Sequence, residues 1–183
     1  MGRKCLDVGS NVERAAAFKL NGNFLILSIL ESLAEAMTLA DKTGVGADLL
    51  FDFIKEFLPA PSFIGYGSKI LSKGFDGNSG FTVTGGIKDA SHIRQLASSV
   101  DATVPIIDLA HRNLITSRAN GGADLDWSSL VAGPRLAAGL QPFTGLKASP
   151  QDTGFGSKSK DSGSEVTAPV KSGDLKTVTN FNE

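Results

Sequence analysis

Four polar residues have types and spacing that could do chemistry: Lys19, Asn23, Lys88 and Asp126. Lys19 and Asn23 are four residues apart in a stretch without proline, so on a helix they point the same way. An ammonium that can exchange a proton, beside an amide that can hold an oxygen, suits acid–base work on a hydroxyl or carbonyl. The plainer alternative is two surface groups, with the lysine snorkelling at a helix end. Lys88 and Asp89 open a later helix and read by themselves as a solvated pair in the first turn. Asp126, before WSSL, reads as a helix cap. His92 and His111 sit singly on separate helices, without the convergence that a metal site requires. No G-x-S-x-G and no P-loop is present. No G-x-G-x-x-G follows a strand, so no dinucleotide-binding sheet is expected within this chain.

The element that must position Lys19 and Asn23 is the stretch from 15 to 43, read as one long helix. Ser10 or Asn11 can cap it, Glu13 suits its first turn, and Gly44 is a natural stop. About 30 residues at 1.5 Å each make a rod of roughly 45 Å, a spine for the rest of the chain. At about 100° per residue, Ser28, Glu31, Glu35, Thr38 and Lys42 form one narrow polar, water-facing stripe. Leu25, Ile29, Leu33, Ala36 and Ala40 lie roughly opposite, and so much apolar circumference predicts burial on most sides. Lys19 and Asn23 fall at the edge of the apolar face, in line with Ile26, Leu30 and Met37.

Shorter helices follow. One has Asp48 in its first turn, runs to about Phe57 and is ended by Pro59 and Pro61. A weaker one covers 62–72, and 73–80 is a glycine-rich loop. FTVT at 81–84 is too short to build a sheet and reads as an extended lead-in to a helix starting near Thr84 or Gly86. Pro105 sits at the first position of the next helix, which reaches about 119 before Gly121-Gly122. Asp126 caps a last short helix, limited by Pro134. The expected fold is therefore all-α, a bundle of some six helices around one long central helix over 10–143. Residues 1–9 read as irregular. Residues 144–183 are rich in Ser, Gly and Lys and hold too few apolar groups to offset ordering, so they read as a disordered tail.

Net charge is −1, which gives no support for a nucleic-acid surface. The single Cys5 cannot form an internal disulfide, so a reducing compartment is expected, cytoplasm or mitochondrial matrix. MGRKCLDVGS lacks the apolar segment of a signal peptide. FLILSIL is too short, and too soon followed by Glu31 and Glu35, for a membrane span to be expected.

In order and spacing the motifs resemble the C-terminal helical domain of the β-hydroxyacid dehydrogenases. That is the family of 3-hydroxyisobutyrate dehydrogenase, with 6-phosphogluconate dehydrogenases and imine reductases as relatives. The text that carries the resemblance is KLNGN from Lys19, LAEAMTLA from Leu33, FTVTGGIKD from Phe81, Pro105, and DWSSL from Asp126. The resemblance implies a fold like the C-terminal domain of 6-phosphogluconate dehydrogenase. It implies that Lys19 is the catalytic acid/base, that Asn23 binds and orients substrate, and that Lys88 contacts an NAD or NADP cofactor. Desolvation tunes a lysine for such a task. The substrate would be a small hydroxy or keto acid, or an imine. Gly22 departs from the two consecutive asparagines common in the family and loosens the substrate-positioning network.

The family's cofactor-binding Rossmann half has no counterpart here, since residues 1–14 cannot supply it. The resemblance thus implies half of an active site, completed by a separate Rossmann-domain partner unless the polypeptide is a truncated gene product, and a homodimer built largely from this helical domain. Two other readings stand beside it: a non-catalytic helical dimerisation or interaction domain, and a small-molecule binder that uses the cleft by Lys19.

Overall fold

The computed structural model describes residues 4–72 and 74–143. The tail expected to be disordered, from residue 144 on, lies outside the described residues. Six α-helices occur among those described: α1 (Val12–Thr43), α2 (Ala47–Phe57), α3 (Pro61–Ser72), α4 (Val83–Ser99), α5 (Pro105–Ser117) and α6 (Ala132–Ala137). The all-α reading holds. The segment FTVT contributes one isolated bridge, Thr82 to Asp126, rather than a strand of a sheet. Its Thr82 side chain accepts from the Gly85 amide at 3.2 Å and starts α4 at Val83, slightly earlier than expected.

α1 is the spine, and each of the other five helices packs on it. Asn11 caps it by accepting from the Glu13 amide, and Gly44 ends it at φ 79°, a left-handed conformation that suits glycine. Leu27, Leu30, Leu33, Ala34 and Met37 of α1 are buried against Ile54, Ile70, Val83, Ile93, Ile107, Leu114 and Leu130. Each large aliphatic side chain so enclosed contributes about 1.5–3 kcal/mol relative to exposure. α1 is long and apolar enough to cross a membrane by length and composition, a property it shares with buried core helices. Its apolar residues are the centre of this core.

Two expectations are corrected. The stripe from Ser28 to Lys42 is not a water-facing one, because Glu31 and Thr38 are buried. α5 covers that side and gives Glu31 an amide partner in Asn113, while the Thr38 hydroxyl donates to the Ala34 carbonyl within α1. Conversely, Leu25 and Leu39 are 63% and 64% exposed, so apolar character on α1 exceeds what this domain covers. The second correction concerns Pro134, which does not end the last helix. The capped segment Trp127–Val131 is a 3-10 turn, and α6 follows with Pro134 as its third residue. In a first turn the missing amide is no loss, since the first four amides of a helix have no partner within it.

Gly133 lies where α6 meets α5. A Cβ there would collide with the Asn113 side chain, itself buried. Gly133→Ala is expected to lower unfolding stability by about 1–3 kcal/mol through overpacking, measured by denaturant titration. A variant as stable as its parent would show that this contact has room.

Candidate active site

Lys19 and Asn23 leave α1 one turn apart and meet α4, which crosses them at Asp89. The Lys19 Nζ donates to Asp89 Oδ2 at 2.5 Å, and the Asn23 amide donates to the same oxygen. Lys88 Nζ lies 3.2 Å from the other oxygen, Oδ1, which accepts no well-aligned hydrogen bond. The Asp89 side chain is 1% exposed, whereas Lys19 and Lys88 are 54% and 60% exposed. One buried carboxylate thus holds two cations and an amide at the surface where α1 and α4 cross.

The electrostatics follow from that placement. Burial by itself would push the Asp89 carboxyl up, but the close contacts and charges of Lys19 and Lys88 outweigh it and hold the carboxyl below its ordinary 3.8. Asp89 therefore stays ionised at neutral pH. Its stabilising contribution is present above about 3.8 and is lost as pH falls through its lowered value in the fold. Two lysines against one carboxylate leave a local excess of one positive charge, which favours an anionic ligand.

Of the residues singled out from the sequence, Lys19, Asn23 and Lys88 are brought together. Asp126 is elsewhere. It is buried, accepts from Lys69 at 2.7 Å and from the Ser128 amide and hydroxyl at 3.0 and 2.5 Å, and serves as the cap it resembled. The residue that sequence reasoning undervalued is Asp89, taken as half of a solvated pair. The signal was in the register: Gly86, Asp89, Ala90, Ile93 and Ala97 share the buried face of α4, and a carboxylate on that face must find a partner. His111 lies 3.1 Å from the Ser91 hydroxyl, and burial pushes its pKa down. Among the described residues no group of three His, Cys, Asp or Glu is placed to hold a metal.

Comparison with known proteins meets this geometry. A family model described as NAD-binding of NADP-dependent 3-hydroxyisobutyrate dehydrogenase matches residues 14–133. The chain belongs to this family. The match spans α1 to α6 and contains Lys19, Asn23, Lys88 and Asp89. An uncharacterised oxidoreductase, YfjR, of Bacillus subtilis (strain 168) is 28% identical over 131 residues, 72% of this chain and 46% of the relative. The NADH-dependent oxidoreductase ucdB of Aspergillus ustus is 28% identical over 138 residues, 75% of this chain and 48% of the relative. The chain spans about half the length of these curated relatives. It is a helical domain of the 3-hydroxyisobutyrate dehydrogenase type, an NAD(P)-dependent dehydrogenase-like domain.

Lys88 offers an exposed cation beside Lys19, suited to an anionic dinucleotide. The cradle of backbone amides between strand and helix that grips a pyrophosphate has no counterpart among the described residues.

Proposed function

We propose that this domain is the catalytic and substrate-binding half of an NAD(P)-dependent dehydrogenase or reductase acting on a small hydroxy or keto acid, with Lys19 as acid/base. One observation carries the reading: Lys19 and Asn23 share one oxygen of a buried carboxylate, at a site with excess positive charge. Asp89 fixes the lysine head, so that Lys19 does not sample the full range of a free surface side chain. Its exposed half faces outward, where a substrate hydroxyl or carbonyl can replace solvent. In the neutral amine form Lys19 takes the proton from the hydroxyl during oxidation, and in the ammonium form it gives that proton to the carbonyl oxygen during reduction. Asn23, fixed on the same carboxylate, orients the substrate from one turn along, and the net positive charge receives its carboxylate. Lys88 meets the cofactor from the helical side. A nicotinamide cofactor, when bound, would supply the hydride chemistry at the substrate carbon.

More than half of the Lys19 side chain is exposed, so its desolvation must come from a covering surface. That is the place for a cofactor-binding Rossmann half, separate or joined. The testing experiment fuses such a half from a related protein before residue 10 and measures NAD- or NADP-dependent oxidation of 3-hydroxy acids. Activity in the fusion and none in the chain alone is the expected result. An inert fusion that binds cofactor would favour a non-catalytic interaction domain.

The same proposal includes a homodimer, in a reducing compartment such as the cytoplasm. Val12, Phe18 and Leu25 on the first half of α1 are 81%, 54% and 63% exposed, and Leu49, Phe53 and Phe57 on α2 are 60%, 50% and 70% exposed. Apolar surface on this scale marks interfaces. Sedimentation equilibrium at micromolar concentration is expected to give the dimer mass, and a clean monomer would refute it.

A further inference from the structure

Away from the lysine site, in the middle of α1, Glu31 is 1% exposed. Its Oε1 accepts from the Asn113 amide of α5 at 2.6 Å, and its Oε2 is buried with no hydrogen-bond partner. Among the described residues no cation forms an ion pair with it. An ionised carboxylate so placed would bury an uncompensated charge, whereas the protonated acid buries no charge and leaves only its Oε2 hydroxyl unpaired. We propose that the Glu31–Asn113 contact is a proton-coupled latch between α1 and α5: it is closed with Glu31 as the neutral acid, and opening releases one proton.

The surroundings support a closed neutral form. Glu35 stands one turn further along α1, and Arg112 precedes Asn113 on α5. Burial pushes the Glu31 carboxyl up from an ordinary 4.5 to about 7; the Asn113 hydrogen bond opposes this, the Glu35 charge adds to it and Arg112 opposes it. Several of the charged groups on elements packed against α1 are engaged elsewhere. Arg135 of α6 is paired with Asp41, Lys69 of α3 with Asp126, Asp89 of α4 with Lys19 and Lys88, and Asp52 of α2 with Lys55. Arg94 and Asp108 pair with one another between α4 and α5. The segment Trp127–Val131 presents Ser128 and Ser129, bonded to Asp126 and Ser117.

A route for water is also present. Asn113, Arg112, Glu35 and Thr116 line an open depression of about 630 Å³, with Gly133 and Pro134 of α6 on its other side. Asn113 itself is buried, so it forms the boundary between this depression and Glu31. When α5 moves, water reaches the carboxylate through that opening, and the released proton leaves by it.

The sign of the pH dependence follows from a carboxyl raised in the closed form. The contribution of the latch is full below about 4.5, declines as pH rises and is gone above about 7. Over that interval the opening equilibrium rises about tenfold per pH unit, about 300-fold in all. This is opposite in direction to Asp89, whose contribution grows as pH rises through the acid range.

The test is Glu31→Gln, a neutral mimic that keeps the oxygen facing Asn113. Unfolding equilibria of the full chain and of the variant are measured side by side from about pH 5 to 8.5. The variant is expected to gain on its parent as pH rises from about 5 to about 7, by about 100-fold in the unfolding constant, and the gap then stays level. A gap that does not change with pH overturns the latch. In case the variant does not fold, the Glu31 carboxyl carbon of the parent is followed by carbon-13 NMR. A midpoint near neutrality supports the proposal, and one near 4.5 overturns it whatever the variant does.

Discussion

Lys19→Ala is expected to lower turnover about 10²–10⁴-fold in a fusion that supplies a cofactor-binding half, the usual loss on removing a positioned acid or base. The size of the effect separates it from the alternatives. A lysine that only decorates a helix surface contributes within about ±0.5 kcal/mol to stability and nothing to rate. Lys55, exposed and paired with Asp52 within α2 at 2.6 Å, is such a lysine, and Lys55→Ala serves as the control. The Lys19 variant should fold, because Asp89 keeps Asn23 and Lys88 as partners and loses one exposed cation. A loss confined to turnover, with an unchanged helical spectrum and unchanged cofactor binding, assigns the proton transfer to Lys19. If the fused variant turned over as fast as its parent, Lys19 would be no acid or base. Activity in the chain without a fused half would remove the premise that a second domain is needed.

The sequence was most informative where local rules govern. The Asn11 cap, the Gly44 stop and Pro105 at the start of α5 rest on the physics of helix ends and are found as read. The i,i+4 spacing placed Lys19 beside Asn23, and the family motif added Lys88. What could not be read was which groups share a carboxylate across two helices. The bonds from Lys19 and Asn23 to Asp89 span 70 and 66 residues, and no local periodicity encodes such a distance. Glu31 shows the opposite failure. Its place in a polar stripe predicted water contact, but it is α5, 82 residues away at Asn113, that decides which side of α1 is wet. Pro134 was misread because a proline limits a helix only from inside it; in a first turn it is compatible with the start.

Arg135 is where the largest stability effect is expected. Its Nη1 lies 2.7 Å from Asp41 Oδ2, with the two side chains 6% and 1% exposed. Asp41 Oδ1 also accepts from the Ala47 amide at 3.0 Å, and the Arg135 Nε donates to the Gln141 carbonyl at 2.8 Å. The pair ties the last turn of α1 and the first residue of α2 to α6. Arg135→Met keeps most of the volume and removes the charge, so Asp41 is left buried with only one amide donor. Loss of one partner of a buried pair costs about 3–5 kcal/mol, because the remaining charge is uncompensated. Small domains hold only about 5–15 kcal/mol in total, so the variant should unfold at markedly lower denaturant. Adding Asp41→Asn to Arg135→Met should recover part of the loss, since an asparagine can still accept from Ala47 without burying a charge. Equilibrium denaturation of the parent, the single variant and the double variant reads both steps. A single variant within 1 kcal/mol of its parent would mean that water already reaches Asp41 and that the clamp between α1 and α6 contributes little.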